Sequence, residues 1–293
     1  MVPMPSIAEF SDMKKTAPVN KIIPFSNVDG PGNRTAIFFQ GCPFNCLFCH
    51  NPETIHLCRS CGLCVEKCPA GALGFDERGQ VVWDSAKCVQ CDSCIKICPH
   101  DASPRIRWMT VEDLLGEVRR AAPYIEGITT SGGECTLHNE FLIALFTEVR
   151  KLGKSCLVDS NGSFDFERDP RVLTVSEGVM LDVKAVEKAW SEKLISHPRE
   201  IVLKNLDYLL SVGKLYEVRT VIFPGRDREN EETVRYVAEH IRDNCFYKII
   251  RYRPYGVREK YQKLLGEFET EAGYAERFAL LARGLGAKKA YVV

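Results

Sequence analysis

Three thiols, Cys42, Cys46 and Cys49, fall within the stretch QGCPFNCLFCHN. Thiols at four- and three-residue steps on one short loop can converge on a metal centre. Structural zinc sites and common iron–sulfur sites are closed by four ligands. Three ligands leave two readings open. Cys135, Cys156 or Cys245 supplies the fourth from elsewhere, or the centre keeps one position free for a substrate. The chain has 14 cysteines, eleven of them between Cys42 and Cys98, so most of the sulfur is concentrated where metal chemistry would be.

The remaining eight of those eleven form an internal repeat. CRSCGLCVEKCP starts at Cys58 and CVQCDSCIKICP at Cys88, each reading C-x-x-C-x-x-C-x-x-x-C-P. This is the bacterial ferredoxin run, in which the fourth cysteine serves the other cluster. The pairing is then Cys58, Cys61, Cys64 with Cys98, and Cys88, Cys91, Cys94 with Cys68. Zinc sites usually come as separated C-x-x-C pairs, which two such complete runs do not resemble.

These residues need elements to hold them. TAIFFQG (35–41) is β-branched, aromatic and closed by glycine, as a buried strand is. TVEDLLGEVRRA opens on Thr110 with Asp113 three residues on, a capping-box start to a helix. GITTSGGE, SCLVDSNG, GVMLDVK and YEVRTVIFPG read as further strands, each followed by helical material; FYKIIRYRPYG and KKAYVV continue the alternation. That rhythm predicts an α/β fold on a parallel sheet of βα units, open or closed into a barrel. The polar motifs sit at the C-terminal ends of the predicted strands, where parallel sheets assemble active sites. The cysteine repeat is an insertion, giving a main domain of 1–53 and 105–293 and an insert of 54–104.

Composition narrows the class. Apolar residues make up 45% and charged residues 27%, with zero formal net charge and no basic stripe, so neither nucleic acid nor a membrane surface is an expected partner. The opening 15 residues lack the apolar core of an export signal, and FLIALF is far too short to span a bilayer, so a cytoplasmic protein is expected. In a reducing compartment, clustered thiols hold metal.

C-x-x-x-C-x-aromatic-C, with Phe48 as the aromatic residue, resembles the signature of the radical S-adenosylmethionine enzymes. The resemblance extends over most of the chain to the activating enzymes of glycyl radical enzymes, of which pyruvate formate-lyase activase is the best known. It rests on FSNVDGPGNRTAIFFQGCPFNCLFCHNPET, with its DGPG turn at Asp29 to Gly32 and its CHN at Cys49 to Asn51. Among subgroups the YjjW-type activases are most similar, mainly through RYRPYGV. The resemblance implies a partial (β/α)6 barrel carrying a ferredoxin-like insert. It also implies three [4Fe–4S] clusters, the first with an open iron chelated by S-adenosylmethionine. Reductive cleavage of that cofactor would give a 5′-deoxyadenosyl radical that abstracts hydrogen from a glycine of the partner enzyme. Flavodoxin or ferredoxin would be the electron donor, and activity would require anaerobic conditions.

Site roles carry over from the same resemblance. Gly132, Gly133 and Glu134 of SGGE would bind the methionine moiety, with Phe48, Lys184 and Arg219 as further cofactor contacts. Asp159 and Asp182, with the carbonyls of Ser160 and Met180, would hold Na+ or K+. Asp29 would contact the inserted glycine loop. Two positions depart from the pattern: Cys135 follows SGGE, and Gly256 follows Pro254-Tyr255 where the family's best-known member has histidine. Read alone, GGE and DSNG are ordinary turns; order and position give them weight. A radical reaction on another peptide or small molecule, and a pure electron carrier with three clusters, are the competing readings.

Overall fold

A computed structural model describes residues 16–293; the opening segment read above for an export signal lies outside the described residues. Two compact units divide the chain. The first joins the described residues up to Cys42 with Glu53–Ser155, and the second joins Pro43–Pro52 with Cys156–Val293.

The first unit contains strands β1 (Thr16–Ser26), β2 (Arg34–Phe39), β3 (His56–Leu57), β4 (Leu73–Phe75), β5 (Val81–Trp83), β6 (Ala102–Ser103), β7 (Arg107–Thr110) and β8 (Gly127–Gly132). Its main sheet runs β7-β1-β2-β8. The β2–β8 pair is parallel, as the βα rhythm predicts. β1 pairs antiparallel with both β2 and β7, which departs from an all-parallel sheet. Pro18 and Pro24 mask this strand in the sequence, yet their carbonyls still accept, from Gln40 N–H and the Thr35 hydroxyl.

The helix Val111–Ala121 starts as its sequence dictates. The Thr110 hydroxyl accepts from Asp113 N–H at 3.1 Å, and the Asp113 carboxylate accepts from Thr110 N–H at 2.8 Å. Leu114, Leu115, Val118 and Ala121 form its buried stripe. Asn139–Lys151 packs by the same logic through Phe141, Leu142, Leu145, Phe146 and Val149.

Within residues 54–104, β3 pairs with β6 and β4 with β5. The sequence repeat there is a repeat of backbone conformation. Ser60 and Gln90 share a left-handed φ of 54° and 55°, Gly62 and Asp92 follow at 79° and 59°, and Gly71 and Asp101 at 57° and 48°. Four of these six are not glycine, a conformation that costs about 1–2 kcal/mol each. The turns it makes bring successive thiols to one side.

The second unit is an all-parallel sheet in the order β9 (Ser155–Ser160), β10 (Gly178–Asp182), β11 (Leu215–Ile222), β12 (Phe246–Arg251) and β13 (Ala290–Val292). Helices Lys188–Ile195, Glu200–Ser211, Asp227–Ile241 and Ala272–Gly284 alternate with these strands. Among the described residues, no helix is long and apolar enough to cross a membrane.

Candidate active site

In the first unit, β2 delivers the chain to the neck of the cysteine loop. Gly41 N–H donates to Thr54 O at 2.8 Å and Cys42 N–H to Ile55 O at 2.9 Å. Gln40 is 1% exposed, and its amide nitrogen donates to the carbonyls of Glu53 and His56 at 2.7 and 2.6 Å. Four bonds thus pin the outgoing strand to the returning one. The SGGE segment at the end of β8 joins the same neck. Gly133 N–H donates to Phe39 O at 2.9 Å and Glu134 N–H to Gly41 O at 2.7 Å.

This contact explains the two glycines. A Cβ on Gly132, whose φ is 114°, would lie 2.3 Å from the Phe39 backbone, and one on Gly133 would lie 2.2 Å from Gly41 O. Only glycine lets the two strand ends approach so closely. The buried Glu134 carboxylate accepts from the Thr136 hydroxyl at 2.6 Å and from Thr136 N–H at 3.2 Å. Cys135 is fully buried and its thiol donates to Thr130 O, a packing position.

Asp29 lies on the turn that precedes the start of β2, and Cys42 follows that strand's end. Its carboxylate accepts from the Ser26 hydroxyl and its carbonyl from the Thr129 hydroxyl, both at 2.5 Å. Arg34, 1% exposed, ties the same end together through Thr129, Ile128 O and Ser155. Thr129 pairs with Ala36 in the middle of β2, so the turn carrying Asp29 folds back along that strand.

In the second unit the loop 43–52 is held by its backbone. Asn45 and Leu47 N–H donate to Ile195 O and Leu194 O, at the end of the helix Lys188–Ile195. Arg258 donates to Asn45 Oδ1 at 2.7 Å and Cys46 O at 2.9 Å. His50 Nε2 donates to Arg253 O at 3.0 Å. Gly256, with φ 80°, packs so closely that a Cβ would lie 2.3 Å from His50 O. No side chain fits there, which accounts for the missing histidine.

Lys184 is brought to the thiols. Its Nζ lies 2.7 Å from Asp182 Oδ2 and 5.2 Å from the centre of the Phe48 ring. Burial works to lower its pKa, but Asp182, Cys46 and Cys49 together outweigh that and hold it above the ordinary lysine range. Burial pushes the Cys46 thiol up to about 12, with the Lys184 charge opposing. A protonated thiol is thus favoured at Cys46 until a cation is bound, and coordination deprotonates a thiol. Cys46 and Cys49 within reach of the Lys184 charge suit an iron–sulfur group.

The strand ends also bring the two acidic motifs together, Met180 opposite Asp159 and Leu181 opposite Ser160. Each carboxylate already has a cationic neighbour, Asp182 in Lys184 and Asp159 in Arg219 at 2.9 Å. Arg219 also meets Glu217 at 2.6 Å and the Met180 sulfur at 3.0 Å. Burial opposes its charge, yet Asp159 and Glu217 raise its pKa. Sequence reading missed Glu217, Lys248 and Tyr291. Glu217 Oε1 lies 3.3 Å from Lys248 Nζ, and its Oε2 accepts from Tyr291 Oη at 2.8 Å. The alternation of Glu217 and Arg219 on one face of an otherwise apolar strand was the available signal.

Two small cavities, each of about 20 Å3, lie among residues 58–105. Cys58, Cys61, Cys64 and Cys98 line one; Cys68, Cys88, Cys91 and Cys94 line the other, with Cys94 touching both. Among the described residues, no three His, Cys, Asp or Glu side chains converge tightly enough to hold a single metal ion.

The sequence matches the family model described as the radical SAM superfamily over residues 36–237. A Haemophilus influenzae protein provisionally named a glycyl-radical enzyme activating enzyme is 31% identical over 266 residues, covering 83% of this chain and 84% of its own. The chain belongs to the radical SAM superfamily, among the glycyl-radical enzyme activating enzymes. Family membership makes it an oxidoreductase that uses a [4Fe–4S] cluster and S-adenosylmethionine. The choline trimethylamine-lyase activating enzyme of Oleidesulfovibrio alaskensis is 28% identical, covering 92% of this chain and 94% of its own. Among solved structures, Streptococcus suis SuiB bound to S-adenosylmethionine aligns with a TM-score of 0.50 at 13% identity, over 64% of this chain and 44% of that one. This last likeness bears on the α/β fold alone.

Proposed function

We propose that this chain generates a 5′-deoxyadenosyl radical from S-adenosylmethionine and uses it to take a hydrogen atom from one glycine of a partner glycyl radical enzyme. The observation that carries the reading is Lys184, which the DVK motif places against both Phe48 and the Cys46 and Cys49 thiols. A [4Fe–4S] cluster held by Cys42, Cys46 and Cys49, with the cofactor on its open iron, supplies the electron and the carbon–sulfur cleavage.

The protein's own groups position and shield. Lys184 offsets the negative charge of the thiolates in a site that excludes water. Gly132 and Gly133 leave backbone open to the methionine moiety, and Glu134, fixed by Thr136, faces its ammonium group. Asp159 and Asp182, with the carbonyls of Ser160 and Met180, offer the oxygen ligands that Na+ or K+ prefers; Arg219 and Lys184 then turn from those carboxylates toward the cofactor. Asp29 contacts the inserted glycine loop.

The insert 54–104, set within a main domain of 1–53 and 105–293, holds two further [4Fe–4S] clusters. The two cavities support this, because their lining thiols group as the ferredoxin pairing requires. These clusters accept electrons from flavodoxin or ferredoxin in the cytoplasm, and the subgroup is the YjjW type.

Anaerobically reconstituted protein given dithionite and S-adenosylmethionine is expected to release 5′-deoxyadenosine, and Cys46→Ala to reduce this by at least about 100-fold. With the partner enzyme present, a glycine-centred EPR signal should appear. Equal cofactor cleavage by wild type and Cys46→Ala would sink the proposal.

A further inference from the structure

We propose that the two insert clusters are unequal, and that the one ringed by Cys68, Cys88, Cys91 and Cys94 is the more easily reduced because Trp83 and Arg105 are built to donate to its sulfur. The inference rests on the reading that both cavities hold clusters. Adding one electron to a cluster, [4Fe–4S]2+ to [4Fe–4S]1+, makes it more negative. Hydrogen bonds and positive charge at its sulfurs therefore raise its potential.

The donors are distributed unevenly. Trp83 and Arg105 both line the cavity that contains Cys88. Trp83 is set there by the β4–β5 hairpin, opposite Leu73, and its indole N–H is buried without a well-formed hydrogen bond. A tryptophan N–H normally finds an acceptor when buried. Arg105 is pre-organised, its side chain only 19% exposed and its guanidinium 2.6 Å from Asp92. Ala72 N–H donates to the Cys68 sulfur at 3.2 Å, and the Ser93 hydroxyl lies 3.3 Å from Cys91.

The other cavity is sparser among the described residues. Ser60 N–H reaches the Cys58 sulfur at 3.4 Å. Its lining includes His100 and Arg59, and Arg59 is exposed, where water and salt screen its charge. The two halves of the repeat share a backbone but not the residues that set potential.

The test is a redox titration of the full reconstituted chain, followed by EPR, with iron counted in each sample. Trp83→Phe keeps the ring and removes the N–H; Arg105→Met removes the charge and fork while keeping the stem. Each is expected to lower the higher of the two insert midpoints by a tenfold change in its reduction equilibrium, about 59 mV for one electron. The lower midpoint should stay in place and the iron content should not change. Unmoved midpoints at full iron content, or equal shifts in both, overturn the asymmetry alone. Wild-type protein with iron for a single cluster overturns the two-cluster reading and the asymmetry with it.

Discussion

His138 shows how a single side chain ties stability to pH. Its Nε2 donates to Gln40 O at 3.1 Å, at the neck that carries Cys42. Burial lowers its pKa from the ordinary 6.5, with the Gln40 carbonyl opposing. The folded protein thus binds fewer protons here than the unfolded chain. The resulting stability is present above 6.5 and is lost as pH falls through the lowered folded value. Denaturant midpoints measured from about pH 7 to about pH 5 should therefore fall less steeply in His138→Gln than in wild type. Identical slopes would show that this imidazole stays outside the acid response. Gln40 itself reads in the sequence as an ordinary strand-end residue, and only its two carbonyl partners reveal that it closes the loop.

At the scale of elements, the segment after β12 acts as a clamp on the cysteine loop. Arg253 O and Gly256 both meet His50 of that loop, and Arg258 meets Asn45 and Cys46. Gly256→Ala would place a Cβ 2.3 Å from His50 O in a left-handed backbone, while Gly213→Ala has the same backbone constraint, φ 66°, and open space. Both should lose about 1–2 kcal/mol to backbone strain, and Gly256→Ala should lose more. Thermal unfolding of the two variants, with iron retention as a second readout, checks this; equal losses would mean that the loop moves aside freely. The strands and helices themselves were legible, because periodicity and caps are local. The capping box at Thr110 and the glycine stop at Gly153 are both where their residue types put them. β1 was hidden, because its prolines argue against a strand and its partners are distant in sequence.

Within the second unit, ion pairs and one hydrogen bond link four of the five strands of the sheet: Asp159 on β9, Arg219 and Glu217 on β11, Lys248 on β12 and Tyr291 on β13. Glu217 is the hinge of these links, its side chain 6% exposed between two cations. Glu217→Ala leaves Arg219 and Lys248 facing each other without their shared carboxylate. The expected cost is about 3–5 kcal/mol in chemical denaturation. Glu217→Gln should recover part of it, since the amide still accepts from Tyr291. A loss under about 1 kcal/mol for Glu217→Ala would mean that water or relaxation replaces the carboxylate. Beyond the alternation of Glu217 and Arg219 along β11, these pairings were hidden in the sequence, because strand partners are set by sheet order rather than by spacing along the chain.

The sequence by itself determined which residues could do chemistry, the repeat between Cys58 and Cys98 and the alternation of strands with helices. Each depends on short-range spacing, caps or residue type, which folding preserves. Only the tertiary structure decided which charges neutralise one another, why Gly133 and Gly256 must be glycine, and that the Asp29 carbonyl meets Thr129. Those facts arise from approach distances between segments far apart in the chain, and packing fixes such distances only when the whole core forms.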